Sequence, residues 1–321
     1  MNKHLETLRL PQIKTPKYYA GSFEKGREAF LTENLRKQGF VLHDRRKGQD
    51  FNHASLVMGE LGRFHASSLL LEDSIAPKTF EETFDNFEES WLDVNNQGFN
   101  AFLDILKSQV QSSIKYLNEY PKYDKCVKWF QANFDSMGQY FLDGLKSTKP
   151  FEVITHGDCW TNNMLFKYNE KNKPEDIRFV DLQCTRKSSP ASDISYFICS
   201  SLNGELRRKY LKELLLIYYQ SFSKVLILAR KNIPFSFKEL EDEMEKRKVY
   251  GILSGLMIVG GVLFVDEEEM WNFDSFTDEK SDVLTVNADG KFKKLMEREN
   301  SFQDRLLSLF DDMLASPVFD I

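Results

Sequence analysis

The stretch 156–183 constrains the fold of this chain more than any other feature of its sequence. It begins His-Gly-Asp-Cys-Trp-Thr-Asn-Asn, so that Asp158 is followed five residues later by Asn163. Two short runs of β-forming residues come next, and a further aspartate, Asp181, follows the second run. The pattern predicts a β-hairpin that carries polar side chains at its open end and is inserted into a largely helical chain.

The other strands and the helices are predicted from apolar spacing and turn residues. We expect the hairpin strands at 164–168 and 177–180, and further strands at 17–23, 28–33 and 151–155. Polar, basic residues predict a connecting loop over 34–50. Helices are expected over 100–116, 123–145, 205–230, 236–265 and 292–315, with others beginning at 51 and near Ser192 or Asp193. The fold class is therefore α+β and mostly helical.

The residue types at the ends of the hairpin suit phosphoryl transfer. A loop carboxylate such as Asp158 can accept the proton of a hydroxyl group and aim its oxygen at the γ-phosphorus of ATP. Mg²⁺ prefers oxygen ligands, which Asp181 and the side-chain amide of Asn163 can supply. We expect His156 to brace the loop, and Gln183 to reach a phosphate or a water molecule.

Purely structural roles for these and neighbouring residues stay open as alternatives. The His-Gly-Asp sequence also suits a tight turn, in which case Asp181 is only a strand-end cap. The strand, loop, hairpin and aspartate in succession favour the chemical interpretation. For His65 the structural role is favoured, a satisfied core histidine, and for Asp193 we expect a structural cap of the loop that contains Asp158.

Charge and hydropathy exclude several classes of protein. The 321 residues carry 43 Lys and Arg against 49 Asp and Glu, a net charge of −6, which predicts no nucleic-acid partner. The longest apolar run, 250–265, is shorter than the ~20 residues of a membrane span and precedes four acidic residues, so we expect a buried helix.

The cysteines and the first residues indicate where the protein resides. Cys126, Cys159, Cys184 and Cys199 show no Cys-x-x-Cys spacing, and the first residues lack the apolar segment of a signal peptide. We therefore expect reduced cysteines and a cytoplasmic location. We also expect a monomer.

Four separated segments resemble the ecdysteroid kinase-like (CHK kinase-like) family, which is related to choline and aminoglycoside kinases within the protein-kinase-like fold. The signature H-G-D-x-W-x-x-N-x-x-F is matched throughout. The three other motifs each depart at one position, with Leu182 for an aromatic residue, Gly62 for Ala and Asn34 for Asp. The four segments, in chain order, are 31–35, 61–68, 156–166 and 181–183.

The resemblance implies a protein-kinase-like fold with a large, mostly helical C-lobe. It implies Mg²⁺ at Asn163 and Asp181, with Asp158 as the catalytic base. It further implies transfer from ATP to a hydroxyl of a small molecule, such as a steroid alcohol of the ecdysteroid type. The hinge backbone that binds ATP would be formed by Thr32, Glu33, Asn34 and Leu35.

On this interpretation residues 1–33 are a remnant of the kinase N-lobe and 34–321 form the C-lobe. Acceptor selectivity is expected in the loops 80–100 and 266–289. A complete N-lobe needs a Gly-rich loop, a strand Lys and a helical Glu. Only sixteen residues precede the first predicted strand, and no G-x-G-x-x-G occurs. We therefore expect a fragment or an impaired relative with weak activity, or alternatively a non-catalytic binding or scaffold protein.

Overall fold

Helices account for most of the described chain in the computed structural model, which covers residues 1–84, 92, 95–146, 148–262, 292–293, 295–297 and 300–320. The two longest helices, α2 and α8, have 25 residues each and pack against one another. The helices are α1 (Asn2–Thr7), α2 (Phe51–Ile75), α3 (Phe80–Thr83), α4 (Gln97–Leu117), α5 (Asp124–Asn133), α6 (Met137–Leu145), α7 (Pro190–Ser201), α8 (Gly204–Leu228), α9 (Phe237–Lys246), α10 (Lys248–Leu256) and α11 (Asn300–Leu314).

Short antiparallel strands of the described chain form three small sheets, ordered β1-β2, β3-β5-β6 and β4-β7. In the middle sheet Met164 pairs with Phe179, so the β5–β6 hairpin has its open end next to Asn163 and Asp181. The strands are β1 (Tyr18–Ser22), β2 (Ala29–Thr32), β3 (Phe40–Leu42), β4 (Val153–Thr155), β5 (Met164–Tyr168), β6 (Pro174–Phe179) and β7 (Arg186–Ser188). The predicted α+β fold class and hairpin are confirmed.

The turn of this hairpin is stabilised by one asparagine side chain. Asn169 Oδ1 accepts hydrogen bonds from the backbone amides of Lys171 and Lys173, both at 3.0 Å. Asn172 takes a left-handed conformation, φ 55°, which asparagine tolerates better than most residues. Local turn chemistry thus stabilises the hairpin, which is why the sequence predicts its presence, although β6 begins at Pro174 and not at residue 177 as predicted.

The prediction of a loop over 34–50 is wrong in its first part. Residues Leu35–Gln38 form a turn of 3-10 helix, and β3 follows and pairs with β5. Val41 and Leu42 expose about half of their side chains, 49% and 56%, so no alternation of buried and exposed residues marks this strand. The strand depends on a partner far away in the chain, which local patterns do not reveal.

Two predicted helices are each divided in the structure. The segment 123–145 forms α5 and α6 with a 3-10 turn, Phe134–Ser136, between them. The segment 236–265 forms α9, α10 and a π-helical stretch, Met257–Val262, beyond which 263–265 lie outside the described residues. The apolar period continues through each break, so the pattern alone predicts single helices.

The N-cap of α7 also differs from the prediction. Ser189 is the cap: its Oγ accepts a hydrogen bond from the amide of Ala191 at 3.3 Å, and Pro190 occupies the first turn. Ser192 and Asp193, the predicted caps, lie inside the helix. Asp193 is therefore available for contacts outside α7.

Two apolar cores enclose the loop that carries Asp158. The first core joins α4, α5, α6, α10 and α11, and the second joins α2, α8 and the β5–β6 hairpin. Trp160 belongs to the first core, whereas Cys159 belongs to the second. Burial of a large apolar side chain contributes about 1.5–3 kcal/mol, so both cores hold the loop in place.

The first fourteen residues pack on the helical part of the chain. Leu5 and Ile13 are buried in the second core, and the amide of Phe179 donates to the carbonyl of Lys14 at 2.9 Å. Lys14 also forms an ion pair of 2.5 Å with Asp176 on β6. By contrast, every residue of β2 is exposed. The division into lobes at residue 33 stays a prediction.

Candidate active site

The backbone of the His-Gly-Asp loop is held by a buried carboxylate on α7. Asp193 accepts hydrogen bonds from the amides of His156 at 2.6 Å and Gly157 at 2.9 Å. Gly157 has φ +83°, and an added Cβ would overlap the carbonyl oxygen of Cys184. Only glycine fits this position without displacing the backbone. The predicted role of Asp193 as a structural cap of the loop is confirmed.

Asp193 is in turn bound by a fully buried histidine on α2. His65 Nε2 donates to Asp193 Oδ2 at 3.1 Å, and the hydroxyl of Tyr218 bonds His65 Nδ1 at 2.8 Å. Burial raises the pKa of the Asp193 carboxyl, but the hydrogen bonds from His65 and from the loop backbone outweigh burial and lower it overall. His65 is the satisfied core histidine that the sequence predicts.

The side chain of Asp158 is bound on both of its carboxylate oxygens. The hydroxyl of Tyr196 donates to Oδ1 at 2.7 Å. The side-chain amide of Asn163 donates to Oδ2 at 2.7 Å and also to the main-chain carbonyl of Asp158 at 2.9 Å. An oxygen of an ionised carboxylate can accept more than one hydrogen bond, so each retains capacity for a hydroxyl donor.

The open end of the hairpin brings Asn163 and Asp181 together, as predicted. The amide of Val180 donates to the carbonyl of Asn163 at 3.0 Å, which closes the strand pair next to Asp181. Asp181 has a left-handed backbone, φ 58° and ψ 64°, so its side chain leaves the direction of β6. Gln183 lies beside it and donates to Asp181 Oδ2 at 3.3 Å.

The electrostatics of Asp181 suit a cation. Burial, and then the nearby charge of Asp158, raise the pKa of the Asp181 carboxyl, and His156 lowers it in part. A bound cation would relieve this repulsion. Because Asn163 Nδ2 faces Asp158, its amide oxygen is the atom left to act as a ligand. Two hard oxygen donors fit Mg²⁺, which usually keeps several waters and substrate phosphates as its other ligands.

No cluster of three or more His, Cys, Asp or Glu side chains that could hold a metal occurs in the described part of the chain.

His156 braces the loop, as predicted. The side chain is fully buried, Nε2 donates to the carbonyl of Val180 at 3.0 Å, and Nδ1 accepts the amide of Asp158 at 3.4 Å. Both ring nitrogens therefore bind backbone on the two sides of the hairpin. These two contacts support the predicted bracing of the loop by His156.

The predicted ATP hinge follows β2. Thr32 ends the strand opposite Tyr18, and the amide of Glu33 donates to the carbonyl of Lys17 at 2.8 Å, so this amide already has a partner. Asn34 Oδ1 caps the following turn by accepting the amide of Lys37 at 3.2 Å. Leu35 is buried at 6% exposure. Binding of ATP at these four positions, Thr32 to Leu35, stays a prediction.

Sequence reasoning missed Tyr196 and the support of the loop by Gln49. Tyr196 lies three residues after Asp193 on α7, so the two side chains share one face of the helix, a spacing that could have identified it. Gln49 Nε2 donates to Thr161 Oγ1 at 3.3 Å, and no local signal predicts this contact. The expected selectivity loop 80–100 is described only in part, and 266–289 lies outside the described residues.

A sequence profile described as the Ecdysteroid kinase-like family matches residues 3–230 of the chain. The chain belongs to this family. The match spans the His-Gly-Asp loop, the hairpin and Asp181, so the predicted family is confirmed. The helices from α9 onward lie outside the matched region.

Solved structures of small-molecule kinases show distant similarity. A choline/ethanolamine kinase family protein from Mesorhizobium loti is 12% identical, with TM-score 0.41, over 97% of this chain and 82% of that protein. A choline kinase from Cryptosporidium parvum is 16% identical, with TM-score 0.43, over 96% and 80%. A putative aminoglycoside phosphotransferase from Ralstonia eutropha is 12% identical, with TM-score 0.42, over 94% and 80%.

No curated protein matches the sequence at a significant level. In the described residues no helix combines the length and apolar character needed to cross a membrane. None of the four cysteines, all of which lie in the described part of the chain, forms a disulfide bond.

Proposed function

We propose that this member of the ecdysteroid kinase-like family transfers the γ-phosphoryl group of ATP to a hydroxyl of a small molecule. The observation that carries the proposal is the carboxylate of Asp158, held by Tyr196 and Asn163 close enough to Asp181 for its charge to raise the pKa of that residue. A fixed carboxylate next to a paired oxygen site is what phosphoryl transfer needs from the protein.

In the proposed reaction Asp158 accepts a hydrogen bond from the acceptor hydroxyl and orients its oxygen. As the bond from this oxygen to the γ-phosphorus forms, the bond from that phosphorus to the β-bridging oxygen breaks, and ADP leaves. The hydroxyl proton passes to the carboxylate of Asp158 and is later released to solvent. Positioning supplies most of the rate, because the transition state is loose and requires little covalent assistance.

Asn163 and Asp181 would hold Mg²⁺, which neutralises phosphate charge when it is bound. Gln183, whose amide reaches Asp181, is proposed to contact a phosphate or a metal-bound water. The backbone of residues 32–35 is proposed to bind the adenine of ATP. Residues 1–33 and 34–321 are proposed as the remnant N-lobe and the C-lobe.

The small size of the acceptor is supported by what fills the space after Asp181. Only eleven residues separate Asp181 from Asp193, and they form a short turn, β7, the cap of α7 and the first three residues of that helix. Protein kinases use a long segment at this place to bind a peptide. The family suggests a steroid alcohol of the ecdysteroid class as acceptor.

We expect transfer to be slow, because the sequence has no G-x-G-x-x-G motif to cover the phosphates. A single-turnover experiment suits such an enzyme: purified protein in excess over radiolabelled ATP, with Mg²⁺ and ecdysone, and measurement of labelled steroid phosphate. Asp158→Asn should reduce the rate about 100-fold or more. Asp176→Asn, a change of the same kind on β6, should leave the rate within about twofold.

If the wild-type protein binds Mg·ATP but phosphorylates none of ecdysone, choline and an aminoglycoside, the proposal of a kinase fails. The result would then favour the alternative, a non-catalytic binding or scaffold protein. Binding of Mg·ATP is measured independently by calorimetry, so a protein that binds the nucleotide without transferring phosphate is distinguished from one that does not bind it.

A further inference from the structure

We propose that Tyr196 is a positioning residue of the transfer reaction, whose hydroxyl fixes the orientation of the Asp158 carboxylate toward the acceptor. The inference rests on the proposed function and adds a residue to it. The geometry that supports it is the hydrogen bond of 2.7 Å from the Tyr196 hydroxyl to Asp158 Oδ1.

Helix α7 binds the His-Gly-Asp loop at two points, one turn apart. Asp193 holds the backbone of His156 and Gly157, and Tyr196, three residues later, holds the side chain of Asp158. Residues at this spacing lie on the same face of a helix. Because α7 is buried along nearly its whole length, it gives the loop a rigid support.

The ring of Tyr196 leaves its hydroxyl little freedom. It is 4% exposed and packs in the first core with Trp160 and Tyr250, the latter at a ring distance of 6.4 Å. A buried phenol hydroxyl requires a partner, since burial deprives it of hydrogen bonds to water. Burial also raises the pKa of Tyr196 well above its usual range, so the group is a neutral donor. The partner it has is Asp158.

The two donors to Asp158 have different surroundings. Tyr196 approaches Oδ1 from the core, whereas Asn163 approaches Oδ2 from the open end of the hairpin, where its amide oxygen is also a candidate cation ligand. If Asn163 adjusts when a nucleotide binds, the bond from Tyr196 keeps the plane of the carboxylate fixed. Without this bond the carboxylate can rotate about its side-chain torsions, and a misplacement of about 1 Å can lower a rate about 100-fold.

The test is the substitution Tyr196→Phe, which removes only the hydroxyl, measured by single turnover with Mg·ATP and ecdysone. We expect the rate constant at saturating acceptor to fall about 10-fold or more, while the half-saturating concentrations of ATP and ecdysone change less than about twofold. The matched control is Tyr250→Phe, which also removes the hydroxyl of a buried tyrosine of the first core but leaves both side-chain hydrogen bonds to the Asp158 carboxylate in place. Its rate should stay within about twofold of wild type.

A second measurement asks whether Tyr196 acts through Asp158. In the background of Asp158→Asn, we expect Tyr196→Phe to produce no further fall, because residues that act as a unit are not additive. A normal rate in Tyr196→Phe, or an equal fall in both backgrounds, overturns the inference and leaves the proposed function intact. No transfer by the wild-type protein overturns the proposed function, and the inference with it.

Discussion

Asn163 binds Asp158 twice, donating its side-chain amide to the carboxylate at 2.7 Å and to the main-chain carbonyl of the same residue at 2.9 Å. A single amide group therefore joins the loop that carries the proposed base to the residue that precedes β5. The proposed chemistry and the stability of the loop depend on the same side chain.

We expect Asn163→Ala to impair both phosphoryl transfer and the stability of the fold. Loss of the amide leaves Asp158 with one donor fewer, so the free energy of unfolding should fall by about 1–3 kcal/mol. Phosphoryl transfer should fall at least about 10-fold, because a proposed metal ligand is lost as well. Urea denaturation and single-turnover assays measure the two effects. Asn162→Ala, the neighbouring position, is the control, and similar losses in both variants would contradict the assignment.

Asp181→Asn should separate activity from stability. The pKa of Asp181 is raised, so its charge is unfavourable in the folded protein and a neutral isostere should stabilise the fold slightly, since solvent screens much of the effect. Asparagine also tolerates the left-handed backbone of this position. The stabilisation of the protein by Mg·ATP should disappear, and transfer should fall about 100-fold or more.

The comparison for that experiment is Asp176→Asn. Burial raises the pKa of Asp176, but the ion pair with Lys14 and a backbone hydrogen bond outweigh burial and lower it, so neutralising this carboxylate should reduce stability. Thermal denaturation of both variants, each with and without Mg·ATP, gives the four melting temperatures to be compared. Equal changes of the same sign in the melting temperatures of the two variants would contradict the inference that the surroundings of Asp181 disfavour its charge.

Gly157→Ala should be strongly destabilising. The residue has φ +83°, and an added methyl group would overlap the carbonyl oxygen of Cys184, so the backbone must move. We expect a loss of about 1–3 kcal/mol or more in the free energy of unfolding. Gly59→Ala is the control: an added Cβ there has ordinary contact with Ile217 at 3.9 Å, and alanine favours the helix by about 0.5–1 kcal/mol. A free energy of unfolding close to that of the wild type in Gly157→Ala would falsify the close approach of residue 157 to the carbonyl of Cys184.

The stability of the protein should depend on pH through Asp193. Burial raises the pKa of this carboxyl, but hydrogen bonds from His65 and the loop outweigh burial and lower it below its usual value near 4. An acid whose pKa is lower in the folded state contributes stability above its unfolded pKa and loses it as the pH falls through the folded value. Urea denaturation between about pH 6 and pH 3 should show this decrease, and Asp193→Asn should give a lower and flatter profile.

The sequence predicted the parts of the site that local chemistry determines. Asn163 and Asp181 are brought together by a hairpin whose turn, at Asn169, is stabilised by contacts within five residues of the chain. Gly157 follows from the motif itself. For this reason the loop, the hairpin and the oxygen pair were predictable without any knowledge of tertiary structure.

The parts that were not predicted depend on distant partners. β3 pairs with β5 across a large part of the chain, and its exposed side chains show no alternation. Tyr196 reaches Asp158 only because α7 packs against the loop, and the break between α9 and α10 occurs at Arg247, which donates to the carbonyl of Lys146 at 2.7 Å. Periodicity along the chain carries no information about such contacts.

The pairing of Met164 with Phe179 fixes the spacing of Asn163 and Asp181 at the open end of the hairpin. The turn at the other end, which contains Asn172, is exposed and is separated from the open end by the length of both strands. Insertions at that tip would lengthen both strands or the turn without changing the open end. The tip is therefore a suitable point of attachment for a fluorescent label or an affinity tag, and a position where natural relatives can differ in length without altering the oxygen pair.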